Sequence, residues 1–181
     1  MKKLFVFIWE IVKIVVIASL IVIPIRYFLF QPFFVKGQSM DPNFENGDYL
    51  IVDEITYRFR APQRGEVIVF KFPQNPSQRF IKRIIGLPGE TVEIENGDII
   101  IYKDGKAQIL DESSYLFPHS ETEGQIKINL KENEYFVLGD NRDFSYDSRR
   151  FGPLPKDKII GKVFLRVLPF AALAKIEPPA Y

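Results

Sequence analysis

The chain has 181 residues, a formal net charge of +1, no cysteine and a single histidine. This length is typical of one domain of ordinary size with an appendage. The absence of cysteine excludes disulfides, thiolate nucleophiles and cysteine zinc sites, and one histidine excludes a multi-histidine metal site within one chain. The small net charge gives no reason to expect nucleic-acid binding.

The chain opens with a long apolar run, MKKLFVFIWEIVKIVVIASLIVIPIRYFLFQPFFV. A core helix should carry a polar stripe, and a cleavable signal peptide should be followed by small residues, but neither pattern occurs here. Residues 11–30 supply roughly the 20 residues that a helix needs to cross about 30 Å of hydrocarbon. Lys2, Lys3 and Lys13 favour a cytoplasmic amino terminus, and Arg26 is a weaker signal for the opposite. We therefore predict a single-pass anchor with its amino terminus inside.

The rest of the chain has the texture of β-strands separated by turns. Val, Ile and Phe are frequent in short segments, and Asn96-Gly97 and Asp104-Gly105 each separate two apolar runs, as in hairpins. Residues 113–124 have the composition of a loop or flexible excursion. We predict a mainly β protein, with an anchor domain over residues 1–32 and one antiparallel β domain over residues 33–181. Strands are expected within residues 47–54, 65–72, 79–86, 127–130, 134–140 and 158–168.

A lone serine, Ser39, lies in the loop KGQSMDPNF directly after the apolar run. Gly37 permits close backbone approach, and Pro42 stiffens the exit from the loop. A hydrolase needs a nucleophile and a base, so Ser39 is a candidate nucleophile, although any loop serine has such neighbours. The usual base would be a histidine, but His119 lies in a polar stretch that is typical of a solvated loop.

A neutral lysine can also activate a serine. The pKa of an unperturbed lysine is near 10.4, so the lysine must be desolvated to lose its proton near neutral pH. Lys71 in VIVFKFP and Lys82 in RFIKRIIGLPGE both lie in apolar strand segments. Lys82 would share a strand face with Phe80 and Ile84, but Lys71 shares its face with two valines, so periodicity does not separate them. Either lysine could also be an edge-strand residue with its ammonium in water.

The stretch LGDNRDFSYDSRRFGPL, residues 138–154, interleaves three aspartates with three arginines. One interpretation is a solvated turn with surface ion pairs, each of little energetic value. The other is a polar network that holds a site in shape. The density of charge at the end of an apolar strand favours the network without indicating a reaction.

Taken together, these motifs resemble bacterial type I signal peptidases, the membrane-anchored Ser/Lys proteases that remove signal peptides from exported preproteins. The motifs occur in order after the apolar run: GQSMDPNF, then RGEVIVFKFP at 64–73, FIKRIIGLPGE at 80–90 and GDNRDFSYDSRRFGPL at 139–154. The resemblance covers nearly the whole chain. It implies a signal-peptidase-type (LexA-like) β fold outside the cytoplasm.

The resemblance also implies roles for individual residues. Ser39 matches the nucleophile, and Lys82 matches the general base. The supporting residues that it implies are Ser145, which helps to orient the lysine, and two salt-bridged pairs, Asp147 with Arg149 and Asp140 with Arg83. The residues that it implies in substrate binding or in shaping the nucleophile loop are Phe33, Val35, Met40, Pro42, Phe44, Phe80 and Ile81.

The chain departs from the family pattern at two positions beside Ser39. Some relatives supply a second oxyanion donor from a serine two residues before the nucleophile. This chain has Gly37 there, which offers no side-chain hydroxyl, so the resemblance does not identify the second donor. The backbone N–H of Ser39 would be the first donor. Many relatives also carry a proline adjacent to the Gly-x-Ser stretch, where this chain has Phe34-Val35-Lys36, a change that concerns the substrate groove more than the chemistry.

The resemblance implies an endopeptidase that cuts after small residues in an Ala-X-Ala pattern and requires no metal or organic cofactor. Its partners would be signal peptides of secretory preproteins and the lipid bilayer, without nucleic acid, and we expect a monomer in the plasma (inner) membrane. Three alternatives remain. The chain could be a specialised peptidase for a narrow substrate set such as pilins, or an inactive membrane-anchored β module. It could also resemble self-cleaving repressors, although those carry a DNA-binding domain where this chain has its apolar segment.

Overall fold

The chain begins with a long helix and continues as β-structure. The computed structural model describes residues 2–28, 30–179 and 181, and helix α1 spans Lys2–Phe28. Among these residues, no helix is both long and apolar enough to cross a membrane. Met1 and Leu29 of the predicted anchor domain, and the side chain of Arg26, lie outside the described residues. The anchor therefore stays a prediction.

Antiparallel β-structure dominates the described residues after α1, as the sequence predicted. The two short helices are α2 (Thr56–Phe59) and α3 (Ser148–Phe151), and single 3₁₀ turns cover Lys156–Lys158 and Phe170–Ala172. The strands are β1 (Phe30–Phe34), β2 (Tyr49–Asp53), β3 (Val67–Phe72), β4 (Asn75–Gly86), β5 (Thr91–Glu95), β6 (Asp98–Lys103), β7 (Lys106–Ile109), β8 (Ile126–Asn129), β9 (Glu134–Leu138), β10 (Leu154–Pro155), β11 (Ile159–Leu168) and β12 (Ala174–Lys175).

The strands form two sheets. The larger sheet has the order β1-β2-β11-β3-β4-β9-β10, and β12 pairs with β11; the smaller sheet has the order β7-β6-β5-β8. The smaller sheet is an insertion between β4 and β9, and its hairpins turn at the two predicted positions. Asn96 and Asp104 have φ values of +52° and +50°, the left-handed conformation that a tight two-residue hairpin turn requires and that Asn, Asp and Gly tolerate best.

Apolar residues pack on both faces of the central strands, and β3 is buried at every position except Lys71. One core cluster contains the side chains that follow β1, Val35, Met40 and Phe44, packed against Val69 of β3 and others. A second cluster fills the space between the two sheets. The serine loop is therefore attached to the core on both sides of the serine.

The larger sheet leaves two strand edges facing one another. Among the described residues, β1 pairs only with β2, and β4 pairs with β9 only from Arg83 onward, so residues 79–82 have β3 on one side and no described strand on the other. Four antiparallel steps separate β1 from β4, and the two strands therefore run in the same direction. A cleft of about 500 Å³ lies between them, lined by residues of both edges.

The segment 113–124 lacks strands and helices, in agreement with the predicted loop, but it is not loosely attached. Tyr115 is 5% exposed and Thr122 is 1% exposed. Two side chains that point inward fix this loop to the body of the protein, which its polar composition did not indicate.

Candidate active site

The structure brings Ser39 and Lys82 into direct contact. Lys82 Nζ lies 2.6 Å from Ser39 Oγ and donates a second hydrogen bond to the Ile81 carbonyl at 2.8 Å. Lys82 lies on β4 just before this strand begins to pair with β9, and Ser39 lies in the loop after β1. The two residues are 43 positions apart in sequence, so the sheet topology makes the contact.

Lys82 is almost fully buried, with 3% of its surface exposed. Burial lowers the pKa of Lys82 to about 8, against the opposing influence of the Asp147 and Asp140 carboxylates. A lysine with this pKa is partly neutral near physiological pH. It could therefore accept a proton from a hydroxyl at hydrogen-bonding distance, which is the property required of a general base.

The loop that carries Ser39 is held by its neighbours in sequence. Met40 and Phe44 are 1% and 2% exposed, and the N–H groups of Asn43 and Phe44 both donate to the Met40 carbonyl. Gly37 has a φ of +95°, which residues with a side chain rarely adopt. The Gly37 N–H donates to Asn46 Oδ1 at 3.0 Å, so that amide already has an acceptor outside the cleft.

The predicted pair of Arg83 and Asp140 is present and buried. Arg83 Nε lies 2.8 Å from Asp140 Oδ1, and Arg83 Nη2 lies 2.5 Å from Asp140 Oδ2. Asn43 Nδ2 donates to Asp140 Oδ2 at 2.8 Å and to the Tyr115 carbonyl. The Arg83 guanidinium also stacks over the Tyr115 ring at 4.2 Å. This pair connects the strand of Lys82 to the loop of Ser39 from the side opposite the cleft.

The predicted pair of Asp147 and Arg149 is present as well. Arg149 Nε lies 2.9 Å from Asp147 Oδ1, and the Gly139 N–H donates to Asp147 Oδ2 at 3.1 Å. Burial would raise the pKa of Asp147, but the hydrogen bonds and charge of Arg149 bring it below its ordinary value. The carboxylate thus stays ionised and fixes the start of the polar stretch.

Ser145 lies next to this network but does not bond to Lys82. Its Oγ is buried and forms no hydrogen bond of good geometry, but it lies close enough to the Asp147 carboxylate to help lower the pKa of that group. A Cβ at Gly139 would collide with both Ser145 Oγ and the Ser39 carbonyl oxygen, so the glycine lets these groups approach. Asn141 N–H donates to the Ser39 carbonyl at 3.2 Å. The expected role of Ser145 in orienting the lysine stays a prediction.

The predicted substrate residues divide into two groups. Phe33, Phe80 and Ile81 line the cleft with Ser39 and Lys82. The other four do not line it: Val35, Met40 and Phe44 are buried in the core beneath the serine loop, and Pro42 is exposed. Those four contribute to the shape of the loop rather than to the cleft wall.

The two residues weighed as alternative bases lie away from this contact. Lys71 is exposed on β3, opposite Arg79. His119 is exposed and lines a different cleft, formed by the loop 113–124 and the smaller sheet. Within the described chain, no group of three or more His, Cys, Asp or Glu side chains could hold a metal ion.

Sequence reasoning missed several supporting residues. Arg142, wholly buried, donates to the Gly139 carbonyl at 3.0 Å and pairs with both carboxylate oxygens of Glu112 at 2.7 Å. Arg166 Nη1 donates to the Asn43 carbonyl at 2.8 Å, which fixes the serine loop from β11. The signal for Arg166 was a charged residue inside an apolar strand segment. Glu112 had no comparable signal, because its partner is 30 residues away.

A family model and several curated relatives match most of the chain. The model of a family described as signal peptidase, peptidase S26, matches residues 8–168. The chain is 39% identical over 165 residues to a probable signal peptidase I-2 of Synechocystis sp., which covers 88% of this chain and 73% of the relative. It is 37% identical over 175 residues to a signal peptidase I of Leptolyngbya laminosa, with 93% of this chain and 83% of the relative covered. A crystal structure of a signal peptidase I from Enterococcus faecalis is 34% identical, with a TM-score of 0.46 over 57% of this chain and 97% of that chain.

Proposed function

The chain belongs to the signal peptidase family, peptidase S26, as a hydrolase of the signal peptidase I type, and from this we propose that it is a membrane-bound Ser/Lys endopeptidase that removes signal peptides from exported preproteins. Ser39 is the proposed nucleophile, and Lys82 is the proposed general base. The single observation that carries this assignment is the 2.6 Å contact between Ser39 Oγ and a buried lysine. The proposed partners are the signal peptides of secretory preproteins and the lipid bilayer.

The reaction begins with proton transfer from Ser39 to Lys82. Neutral Lys82 accepts the hydroxyl proton through its nitrogen lone pair while Oγ forms a bond to the scissile carbonyl carbon. The Ser39 N–H donates to the oxyanion that develops. Protonated Lys82 then gives its proton to the leaving amine as the peptide bond breaks. Lys82 next takes a proton from water as the water oxygen bonds to the acyl carbon, and it returns that proton to Ser39 Oγ as the ester bond breaks and the new carboxyl end leaves.

The proposed substrate conformation is an extended strand in the gap between β1 and β4. Both strand edges offer unpaired backbone groups, and adding a strand to such edges is a common mode of peptide recognition. The cleft walls beside Ser39 include Phe33, Phe80 and Ile81. Large apolar side chains at the walls leave shallow pockets, which suits small residues at the first and third positions before the cut.

The membrane anchor is a further part of the proposal. It is supported by the apolar run of residues 11–30 and by the exposure of apolar side chains along α1, where Leu4, Ile14 and Leu20 are each more than 60% exposed. A helix that is apolar on all sides needs an apolar environment. The basic residues near the chain start favour a cytoplasmic amino terminus.

This topology would place the catalytic residues outside the cytoplasm, at the plasma (inner) membrane. Ser39 follows α1 by only 11 positions, so the nucleophile would lie near the outer surface of the bilayer. A signal peptide that spans the bilayer presents its cleavage site at that same surface. We propose residues 1–32 as the anchor domain and residues 33–181 as the catalytic domain.

The test is cleavage of a preprotein by the full chain in detergent or liposomes, followed by gel mobility and mass of the product. We expect Ser39→Ala to abolish cleavage and Lys82→Ala to lower kcat by about 10²–10⁴-fold, the range that general base catalysis contributes. Lys71→Ala and His119→Ala are the matched controls and should retain the wild-type rate. Near-normal cleavage by Lys82→Ala would show that the base assignment is wrong.

A further inference from the structure

The cleft beside Ser39 has an unusual charge composition. Its lining residues are basic, aromatic, aliphatic or uncharged polar, and none of them is Asp or Glu. Besides Lys82, two basic residues line it, Lys36 and Arg79, and both are exposed. A solvated cleft lined by one sign of charge attracts ligands of the opposite sign.

Lys36 lies on the β1 side of the cleft, close to the reacting centre. Side chains alternate along the segment that leads to it: Phe34 is 53% exposed, Val35 is 2% exposed, and Lys36 is exposed again. Lys36 therefore points to the same side as Phe34, into the cleft and away from the core. It forms no ion pair with any described residue.

Arg79 lies on the β4 side, three residues before Lys82. At about 3.3 Å per residue, it is about 10 Å along the strand from the base. Its Nη1 lies 3.5 Å from Gln31 Oε1 across the cleft, a weak contact with a neutral group. Glu54 lies close enough to Arg79 for the two charges to interact, but Glu54 does not line the cleft.

Building on the proposed function, we propose that Lys36 and Arg79 make the cleft select substrates by charge. An acidic side chain near the scissile bond favours cleavage, and a basic side chain at the same place disfavours it. The substrate class is therefore a signal peptide or early mature segment that carries Asp or Glu near the cut and lacks Lys or Arg there.

The charge preference is expected to change KM and to leave kcat unchanged. Both cations are on the cleft walls and touch neither Ser39 Oγ nor Lys82 Nζ, so they would attract the ground state and the transition state equally. Exposed charge pairs contribute little individually, so each contact is expected to change KM by about two- to fivefold. The Debye length is about 8 Å in physiological salt and about 3 Å at 1 M, so high salt should remove most of the effect.

The experiment uses the full chain in detergent with a peptide series that keeps the small residues at the first and third positions before the cut. Glu, Gln or Lys is placed in turn at the second and fourth positions before the cut and at the first two positions after it. We expect the Glu peptide to have a KM about two- to fivefold below that of Gln, and the Lys peptide a higher KM, at one or more positions at low salt. Lys36→Glu should reverse the preference near the cut.

Lys36→Gln and Arg79→Gln should each reduce the spread of KM values, whereas Lys106→Gln, an exposed cation on the smaller sheet, should leave it unchanged. Equal KM values for Glu, Gln and Lys peptides, with the Gln peptides cleaved, would overturn this inference and leave the proposed function intact. A spread of KM values as wide in both Gln variants as in the wild type would also overturn it. If no peptide and no preprotein is cleaved, the proposed function fails, and this inference fails with it.

Discussion

At the scale of single residues, the site depends on the protonation state of one lysine. The Lys82 ammonium would donate to Ser39, whereas the neutral amine can accept the serine proton over the same 2.6 Å. Burial lowers the pKa of Lys82 to about 8, so the neutral fraction grows as pH rises through 8. The two carboxylates nearby, Asp147 and Asp140, oppose a further decrease in the pKa of Lys82. Each of them is itself paired with an arginine.

This pKa predicts the pH dependence of cleavage. We expect kcat/KM to rise about tenfold per pH unit below pH 8 and to level off above it, because only the neutral lysine can act as base and kcat/KM reports the free enzyme. The measurement is initial cleavage rate at low substrate concentration from pH 6 to pH 10. Lys71→Ala should give the same midpoint as wild type. A midpoint that His119→Ala moves would instead indicate that the histidine is the base.

The choice between Lys71 and Lys82 illustrates what could not be predicted from strand periodicity. Both lysines alternate with apolar residues along their strands, so the two-residue period of a strand does not indicate which of them is the base. They differ in the third dimension, because Lys71 is exposed near the end of β3 whereas Lys82 is buried and bonds to Ser39 of the serine loop. The family motifs separated the two lysines where periodicity did not.

At the scale of elements, the smaller sheet and its loop support the site from outside the larger sheet. Arg142 follows β9, and its guanidinium holds Glu112 of the loop that leaves β7, with Thr122 as a further acceptor. The same guanidinium donates to the Gly139 carbonyl beside Ser39. One buried arginine therefore ties the inserted sheet to the nucleophile loop.

We expect Arg142→Ala to lower the free energy of unfolding by about 3–5 kcal/mol, because it leaves Glu112 buried without a counter-charge. The measurement is urea-induced unfolding of the full chain in detergent, monitored by far-UV circular dichroism. Arg150→Ala is the matched control, since Arg150 is exposed and forms no ion pair with any described residue. Replacing both partners by apolar residues, as in Arg142→Met with Glu112→Leu, should recover much of the loss. A loss below about 1 kcal/mol in the single variant would contradict this account of the pair.

Local elements were predictable, whereas their assembly was not. The hairpins at Asn96-Gly97 and Asp104-Gly105 are encoded by adjacent residues, and both occur where the sequence predicted them. The insertion of a separate sheet and the position of β11 between β2 and β3 depend on contacts distant in sequence. Burial of Tyr115 in a polar loop has the same origin, because its partners Arg83 and Asn43 belong to other segments.

At the scale of the whole molecule, the last residues of the chain return to the back of the site. β12 pairs with β11, and the chain then runs to Tyr181, whose hydroxyl donates to the Tyr115 hydroxyl at 3.0 Å. Tyr115 in turn donates to Glu112 and lies under the Arg83 guanidinium. Tyr181 also packs with Pro179 against Gly65, where a Cβ would meet both rings. The tail therefore covers the layer that positions Arg83 and Asp140 behind the contact between Ser39 and Lys82.

If this cover matters to the site, Tyr181→Ala should reduce both stability and turnover. Loss of a partly buried ring that packs on the core predicts a decrease of about 1–3 kcal/mol in the free energy of unfolding. Tyr181→Phe keeps the ring and loses only the hydrogen bond, so it should cost about 0.5–1.5 kcal/mol. Because Tyr115 and Arg83 lie between the tail and Lys82, we expect kcat to fall with Ala and to recover with Phe, with KM unchanged in both. The measurements are denaturant unfolding and steady-state cleavage by the full chain at a temperature where each variant remains folded. Wild-type kcat in folded Tyr181→Ala would show that the tail stabilises the fold without positioning the site.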